Sequence, residues 1–162
     1  MINIIPAIMS DSLEEFKKEL EKVWLKSEGY EVEDVGVFDE KDKVDFVDFA
    51  ILVASELEED VNDRGVLFCK NGFGMVMAAN RFKKVRCGFG FDRGAVKKGR
   101  EDDDINCVAI PSDYIEEKKI QEMVKVMLET EFSGEERYKR RIEKLNLTGG
   151  CGDGCCEVEE EK

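Results

Sequence analysis

The chain has 162 residues, the length of a single domain. Its 25 lysines and arginines against 38 aspartates and glutamates leave a formal charge of −13, which argues against a nucleic acid or an anionic membrane as the main partner, because both need clustered positive charge. Hydrophobic residues make up 42% of the chain, enough for a folded core, and the absence of histidine excludes every mechanism that uses an imidazole.

Apolar runs alternate with segments of helical period along most of the chain. Strands are predicted at 2–8, 30–38, 65–69, 86–91 and 106–110. Helices are predicted at 12–28, 46–57, 75–82, 93–100, 114–130 and 135–145. Ser12 and Glu15 form a capping box at the start of the first helix, and Gly29 ends it. This alternation predicts the α/β class: an open parallel five-stranded sheet with helices on both faces, a Rossmann-like three-layer sandwich.

The composition changes at about residue 146, which divides the chain into a domain at 1–146 and a tail at 147–162. The tail is rich in glycine, cysteine and glutamate, has no apolar period and is predicted to be flexible. Its thiols, Cys151, Cys155 and Cys156, could bind a soft metal or a thiol-reactive partner, or be incidental to a disordered segment.

The sequence also predicts where the protein resides. It shows no basic leader, no small-residue cleavage site and no apolar run of the roughly 20 residues that span a bilayer. We therefore expect a cytoplasmic protein with mostly reduced cysteines and no contact with a membrane.

Cys69 ends the third predicted strand and precedes a glycine-containing turn, KNGFG at 70–74, that leads into a helix. Ligands of open α/β sheets lie at the carboxyl ends of the strands, and glycine lets backbone N–H groups face them. A thiol there could act as a nucleophile or a general base, with the adjacent N–H groups holding an oxyanion. The alternative is a small buried core residue beside an ordinary turn. The turn matches neither a Walker A motif nor the full dinucleotide-binding pattern, so we expect no cofactor.

Two charged segments are further candidates. Arg137 and Arg141 are spaced i, i+4 on the last helix, so their guanidinium groups point the same way and could bind one phosphate. The alternative is a solvated basic face paired with neighbouring glutamates. The acidic run at 101–104 could hold a metal or transfer protons, or it could be a solvated loop or helix cap.

Four segments, in order, resemble one family. DRGVLFCKNGFGMVMAANRFKKVR is similar to a stretch of the form Asp-x-Gly-hydrophobic-Cys-Gly-Thr-Gly-x-Gly-x-x-x-Ala-x-Asn-Lys. EVEDVG and VDFVDFA are similar to upstream segments, and RYKRRIEKL to a closing Arg-His-x-x-Arg helix. Together they resemble the type B ribose-5-phosphate isomerases, a family that includes the galactose-6-phosphate isomerase subunits, over about 2–145.

The resemblance implies an enzyme of the ribose 5-phosphate/ribulose 5-phosphate type, which interconverts an aldose phosphate and a ketose phosphate through a cis-enediolate. Cys69 takes the role of the base that moves the proton between C1 and C2. The backbone around Asn71, Gly72 and Gly74 takes the role of stabilising the enediolate oxygen.

The resemblance also implies the positions that bind substrate. The arginines that bind phosphate in the family fall on Arg137 and Arg141, and the histidine beside the first of them is replaced by Tyr138. Asp45 and Asn80 match family positions near the site and are assigned to substrate binding.

Several family positions carry other residues here. The family's Asp-His pair after the first strand aligns with residues 10 and 11 of this chain. We also assign Asp11 to substrate binding. The His-Asn pair that opens the sugar ring and contacts substrate aligns with Asp102 and Asp103, so Asp102 is the candidate for ring opening. The Gly-Thr after the cysteine is Lys70-Asn71, so the hydroxyl that assists proton transfer is absent.

Members of the family are homodimers or dimers of dimers whose sites are built from two subunits. The resemblance therefore implies the same assembly here, with a small phosphorylated sugar as the ligand and with neither a cofactor nor a metal. Two functions stay open. The first is the isomerase, and the second is a non-catalytic sugar-phosphate-binding protein or heteromer subunit of the same fold.

Overall fold

The computed structural model describes residues 3–8, 22, 24–35, 45–60 and 62–148, the first of these segments through its backbone. Three predictions therefore lie outside the described residues. They are the capping box of the first helix, the placement of Asp11, and the tail cysteines.

The five strands form one parallel sheet, as the sequence predicts. They are β1 (Asn3–Ile8), β2 (Glu31–Val32), β3 (Arg64–Cys69), β4 (Cys87–Phe89) and β5 (Cys107–Pro111). Their order across the sheet is β2-β1-β3-β5-β4, and every neighbouring pair is parallel. β4 is shorter than predicted because the chain turns after Phe89, where the N–H of Phe91 bonds back to the carbonyl of Phe89.

Among the described residues, five helices with defined bounds follow the strands or connect them. They are α1 (Phe46–Glu59), α2 (Phe73–Ala79), α3 (Arg93–Asp103), α4 (Glu117–Glu129) and α5 (Glu136–Thr148). Residues 24–27 are also helical and end at Gly29, whose φ of +88° is the left-handed conformation that the sequence assigned to a glycine stop. α5 continues through Thr148, two residues into the segment predicted as tail. None of the described helices has the length and apolarity needed to cross a bilayer.

The strand β3 separates two hydrophobic clusters, because successive side chains point to opposite faces of a sheet. Val66 and Phe68 pack with α4 on one face, and Leu67 and Cys69 pack with α1 and α2 on the other. Gly65 allows close packing, since a Cβ there would lie 2.7 Å from the Val53 side chain. The result is the three-layer arrangement predicted from the sequence, with the carboxyl ends of the central strands β3 and β5 side by side.

Candidate functional site

Cys69 is the last residue of β3 and lies at the carboxyl edge of the sheet. Its side chain is 6% exposed and belongs to the core cluster that contains α1 and α2. Its carbonyl accepts a hydrogen bond from the N–H of Ser112 at 2.9 Å, and the carbonyl of Lys70 accepts one from Asp113 at 3.2 Å. These bonds join the loop after β3 to the loop after β5, so Cys69 sits at the edge where open α/β sheets bind ligands.

The loop after Cys69 has a closely packed backbone with one residue in the left-handed conformation. Gly72 has a φ of +74°, and a Cβ on it would lie 2.8 Å from the ring of Phe89, so glycine is required there on both counts. The side-chain oxygen of Asn71 accepts a hydrogen bond from the N–H of Phe73 at 3.1 Å. The loop therefore has a defined shape, and it brings the backbone of the predicted oxyanion-binding residues directly after the thiol-bearing strand.

The start of α1 packs against the same loop. A Cβ on Gly74 would lie 2.7 Å from the ring of Phe46, the first residue of α1. Asp45 precedes Phe46, is exposed, and donates its backbone N–H to the carboxylate of Asp48 at 2.8 Å. The structure thus places Phe46, and Asp45 immediately before it in the chain, beside the glycine loop; a common site stays a prediction.

An apolar cavity of about 280 Å³ opens at this edge. The residues that line it are Asn71, Phe73, Phe89, Phe91, Pro111, Tyr114 and Ile115. The Phe73 and Phe89 rings stack with their centroids 4.8 Å apart, and Phe91 continues the stack at 6.0 Å from Phe89. Phe73, Phe91 and Tyr114 are each more than half exposed. The sequence analysis did not identify these phenylalanines, although the alternation in GFGF at 88–91 indicates that two of them share one face of a strand.

Asn80 has a structural role that the sequence did not predict. Its side-chain nitrogen donates to the carbonyls of Val76 at 3.0 Å and Cys87 at 2.8 Å, and its side-chain oxygen accepts from the N–H of Cys87 at 2.8 Å. Both amide donors are therefore engaged in holding the start of β4 against the end of α2. The assignment of Asn80 to substrate binding stays a prediction, and a ligand that donates a hydrogen bond could use the second lone pair of its side-chain oxygen.

Asp102 and Asp103 do not lie near Cys69 of the same chain. They are the last residues of α3, and a helix that follows a parallel strand runs back toward the amino edge of the sheet. The next residue, Asp104, pairs with Arg86, which immediately precedes β4 and so also lies at the amino edge. Cys69 is at the carboxyl edge, about 16 Å away along a five-residue strand at about 3.3 Å per residue. Within one chain, the predicted base and the predicted ring-opening group are therefore on opposite edges.

Arg137 and Arg141 lie on the same side of the molecule as Asp102. The guanidinium carbons of Arg137 and Arg141 are 4.6 Å and 5.5 Å from the ring centroid of the buried Tyr138, so one ring holds both groups over one face of α5. A hydrogen bond to Glu101 raises the pKa of Lys98, with smaller contributions from the charges of Glu101 and Asp102 and from Tyr138. The two helices α3 and α5 contact each other, and the carbonyl of Glu101 in α3 accepts a hydrogen bond from the N–H of Ser133, shortly before α5, at 3.0 Å.

In the structure, residues of the acidic run and of the basic helix form a helix cap and a surface ion pair. Asp104 acts as a helix cap, because it ends α3 in the left-handed conformation with a φ of 49°. Arg137 pairs with Glu135 at 2.9 Å on an exposed surface. In the described part of the chain, no group of three or more candidate ligands could hold a metal ion.

Comparison with known proteins identifies the family. The family model described as Ribose/Galactose Isomerase matches residues 7–145. The chain belongs to this family. It is 37% identical over 103 residues to a putative sugar phosphate isomerase of Bacillus subtilis, covering 64% of this chain and 68% of that protein. It is 32% identical over 124 residues to a probable ribose-5-phosphate isomerase B of Mycoplasma genitalium, covering 75% and 80%.

Solved structures of family members share the fold. A ribose 5-phosphate isomerase from Thermotoga maritima superposes with a TM-score of 0.82 at 31% identity, covering 90% of this chain and 98% of that one. Ribose-5-phosphate isomerase B from Mycoplasma genitalium, with bound ribulose-5-phosphate, superposes with a TM-score of 0.81 at 30% identity, covering 90% and 95%. The predicted family, the fold class and the sugar-phosphate isomerase class are confirmed, whereas the roles of individual residues stay predictions.

Proposed function

We propose that the chain interconverts an aldose phosphate and a ketose phosphate through a cis-enediolate, with Cys69 as the base. The single observation that carries this proposal is the position of Cys69 at the carboxyl end of a central strand, followed at once by the shaped glycine loop. As a thiolate, Cys69 accepts the proton from C2 of the aldose, which leaves the enediolate. The resulting thiol then donates a proton to C1, while the proton of the C2 hydroxyl moves to the oxygen on C1, and the ketose results. Loop N–H groups stabilise the oxygen that gains negative charge.

We propose further that each working site is built from two chains, in a homodimer or a dimer of dimers in the cytoplasm. One chain supplies Cys69, Asp45 and the loop, which lie together at the carboxyl edge. The other supplies Asp102 and the pair Arg137 and Arg141 from the opposite edge. Arg137 and Arg141 bind the phosphate, and Asp102 accepts the hydroxyl proton when a cyclic sugar opens, with Asp103 beside it. The separation of the two sets within one chain supports this division.

A second candidate, a non-catalytic subunit that binds a sugar phosphate, is favoured by one observation. The family hydroxyl that assists proton transfer is replaced by Asn71, and its side-chain oxygen already accepts a hydrogen bond from Phe73. The loop therefore has its shape without a group that shuttles protons at this position.

The decisive experiment follows exchange of the C1 and C2 protons with solvent by NMR, with a panel of pentose and hexose phosphates. Cys69→Ala should lower exchange and isomerisation by at least about 100-fold, the lower range for loss of a general base. Cys87→Ala is the matched control, since it removes another buried thiol of the same core cluster and should retain turnover. Full activity of Cys69→Ala would exclude the mechanism. Binding without exchange by the unaltered chain would favour the non-catalytic subunit.

Mixing two inactive variants tests the shared site. Cys69→Ala lacks the base and Arg137→Ala lacks part of the phosphate clamp, so a mixed dimer contains one site with both. Half of the dimers are mixed at random assembly and each has one intact site, so activity should return to about a quarter of the unaltered protein. Mixtures that stay inactive, while exchange of subunits is verified by native mass spectrometry, would show that each site lies within one chain.

A further inference from the structure

Arg100 is a charged side chain in the interior of the described structure. It lies in α3 and is 3% exposed, although most arginines are at the surface. Its Nη1 donates to the carboxylate of Asp104 at 2.7 Å and to the carbonyl of Ile105 at 2.5 Å, and its Nε donates to the carbonyl of Thr130 at 3.1 Å. A buried charge is tolerated only when it is paired and hydrogen-bonded in this way.

These bonds join three segments that are distant in sequence. Asp104 ends α3, Ile105 leads into β5, and Thr130 ends α4 at the start of the connection to α5. A second link reinforces the same junction, because the carbonyl of Glu101 accepts a hydrogen bond from the N–H of Ser133 at 3.0 Å. Arg100 therefore connects the end of α3, which carries Asp102, to the segment that leads into the helix with the arginine pair.

Asp104 is fixed from a second direction as well. Its other carboxylate oxygen accepts a hydrogen bond from Arg86 at 2.8 Å, and its carbonyl accepts one from Nε of Arg86 at 2.7 Å. The left-handed conformation of Asp104 is one that non-glycine residues adopt only when their surroundings hold them there. The end of α3 is thus set by two guanidinium groups.

We propose that Arg100 is a positioning residue for the isomerase: it keeps Asp102 and the phosphate-binding arginines at a fixed separation, so that one chain presents them to its partner as a unit. The proposal rests on the proposed function. The chain of carbons between the phosphate and the reacting carbons of a sugar phosphate has a limited reach, so groups on α3 and α5 act together only if the two helices keep their spacing. A displacement of about 1 Å can cost about 100-fold in rate.

The variant Arg100→Lys tests the geometry while keeping the charge. An ammonium group is a single point donor, so it cannot reproduce the planar fork that reaches Asp104, Ile105 and Thr130 together. We expect kcat/KM for a phosphorylated sugar to fall at least tenfold, with a smaller loss for the unphosphorylated sugar. Arg86→Lys is the matched control, because Arg86 contacts Asp104 and has no hydrogen bond to Thr130. The fall in kcat/KM of Arg86→Lys should be smaller than that of Arg100→Lys. Equal losses in the two variants would overturn the proposal.

Mixed dimers distinguish positioning from general stability. Arg100→Lys mixed with Cys69→Ala should regain activity toward about a quarter, because one site combines an intact base with an intact set of partner groups. Arg100→Lys mixed with Arg137→Ala should regain no activity, since both changes affect the groups that a chain supplies to the site of its partner. The proposal is wrong if the first mixture gains no activity while Cys69→Ala with Arg137→Ala does. Arg100 would then not act on the groups that a chain supplies to its partner.

Two further outcomes are decisive. If Cys69→Ala with Arg137→Ala also stays inactive, the shared site itself fails, and this proposal fails with it. Arg100→Gln provides a second variant that keeps two donors without the charge. If both Arg100 variants fail to fold by circular dichroism and thermal melting, Arg100 is required for stability and the positioning role is overturned.

Discussion

At the scale of single residues, two buried thiols that take no part in the proposed reaction lie side by side and alter the pKa of one of them. Cys87 and Cys107 are neighbours across β4 and β5 and share one core cluster. A hydrogen bond with the Cys87 thiol, followed by burial, raises the pKa of Cys107 well above its ordinary value. The fold therefore favours the protonated form of Cys107.

This shift predicts a loss of stability in alkali. Below the pKa of an unfolded cysteine, about 8.5, the Cys107 thiol contributes fully to the free energy of unfolding, because the folded and unfolded states both hold the proton. Above it the unfolded chain loses the proton while the folded chain keeps it, so the free energy of unfolding decreases by up to about 1.4 kcal/mol per pH unit until the folded pKa is reached. Urea unfolding under reducing conditions between pH 7 and about 10 should show a smaller slope with pH for Cys107→Ala. Parallel slopes would contradict the assignment.

At the scale of elements, α3 depends on different side chains at its two ends. At the start, one carboxylate oxygen of Asp92 accepts hydrogen bonds from the N–H groups of Gly94 at 2.7 Å and Ala95 at 3.1 Å. At the other end, Arg86 and Arg100 hold Asp104. The second end carries Asp102 and Asp103, the functional residues predicted on this helix.

The two ends should therefore respond differently to substitution. Asp92→Ala removes an N-cap and should lower the free energy of unfolding by about 1 kcal/mol, with turnover within about twofold of the unaltered protein. Asp92→Asn, which retains a capping oxygen, should lose less. Urea unfolding and initial rates measure the two effects. A large drop in turnover from Asp92→Ala at full folding would show that the start of α3 also takes part in the site.

At the scale of the whole molecule, the described domain has its own core and the tail was predicted to add nothing to it. Deleting 149–162, the part beyond the end of α5, should leave the melting temperature and turnover close to those of the full chain, because the tail lacks an apolar period. Thermal melting and initial rates of both forms test this expectation. A marked fall in either would show that the tail docks on the domain or across the proposed dimer.

The sequence predicted more of the fold than of the candidate site. The glycine-containing turn after Cys69 was predicted to present its backbone to a ligand. Gly72 in this turn has a positive φ and lies against the Phe89 ring, and both features require glycine. The role of Asn80 was not predictable, because its partner Cys87 lies on a strand whose position follows from packing. Arg100 was missed because nothing in the pattern of a mostly polar helix marks one arginine as buried.

The sequence by itself determined the type and order of the elements, the parallel class of the sheet and the family. These follow from local periods of about 2 and 3.6 residues and from motifs read along the chain. The tertiary structure decided which residues share an edge. Strand order and the return path of each helix put Cys69 at the carboxyl edge and Asp102 at the amino edge, although both belong to one predicted site. Only long-range packing sets those positions, because strand order and helix direction depend on contacts between residues distant in the sequence.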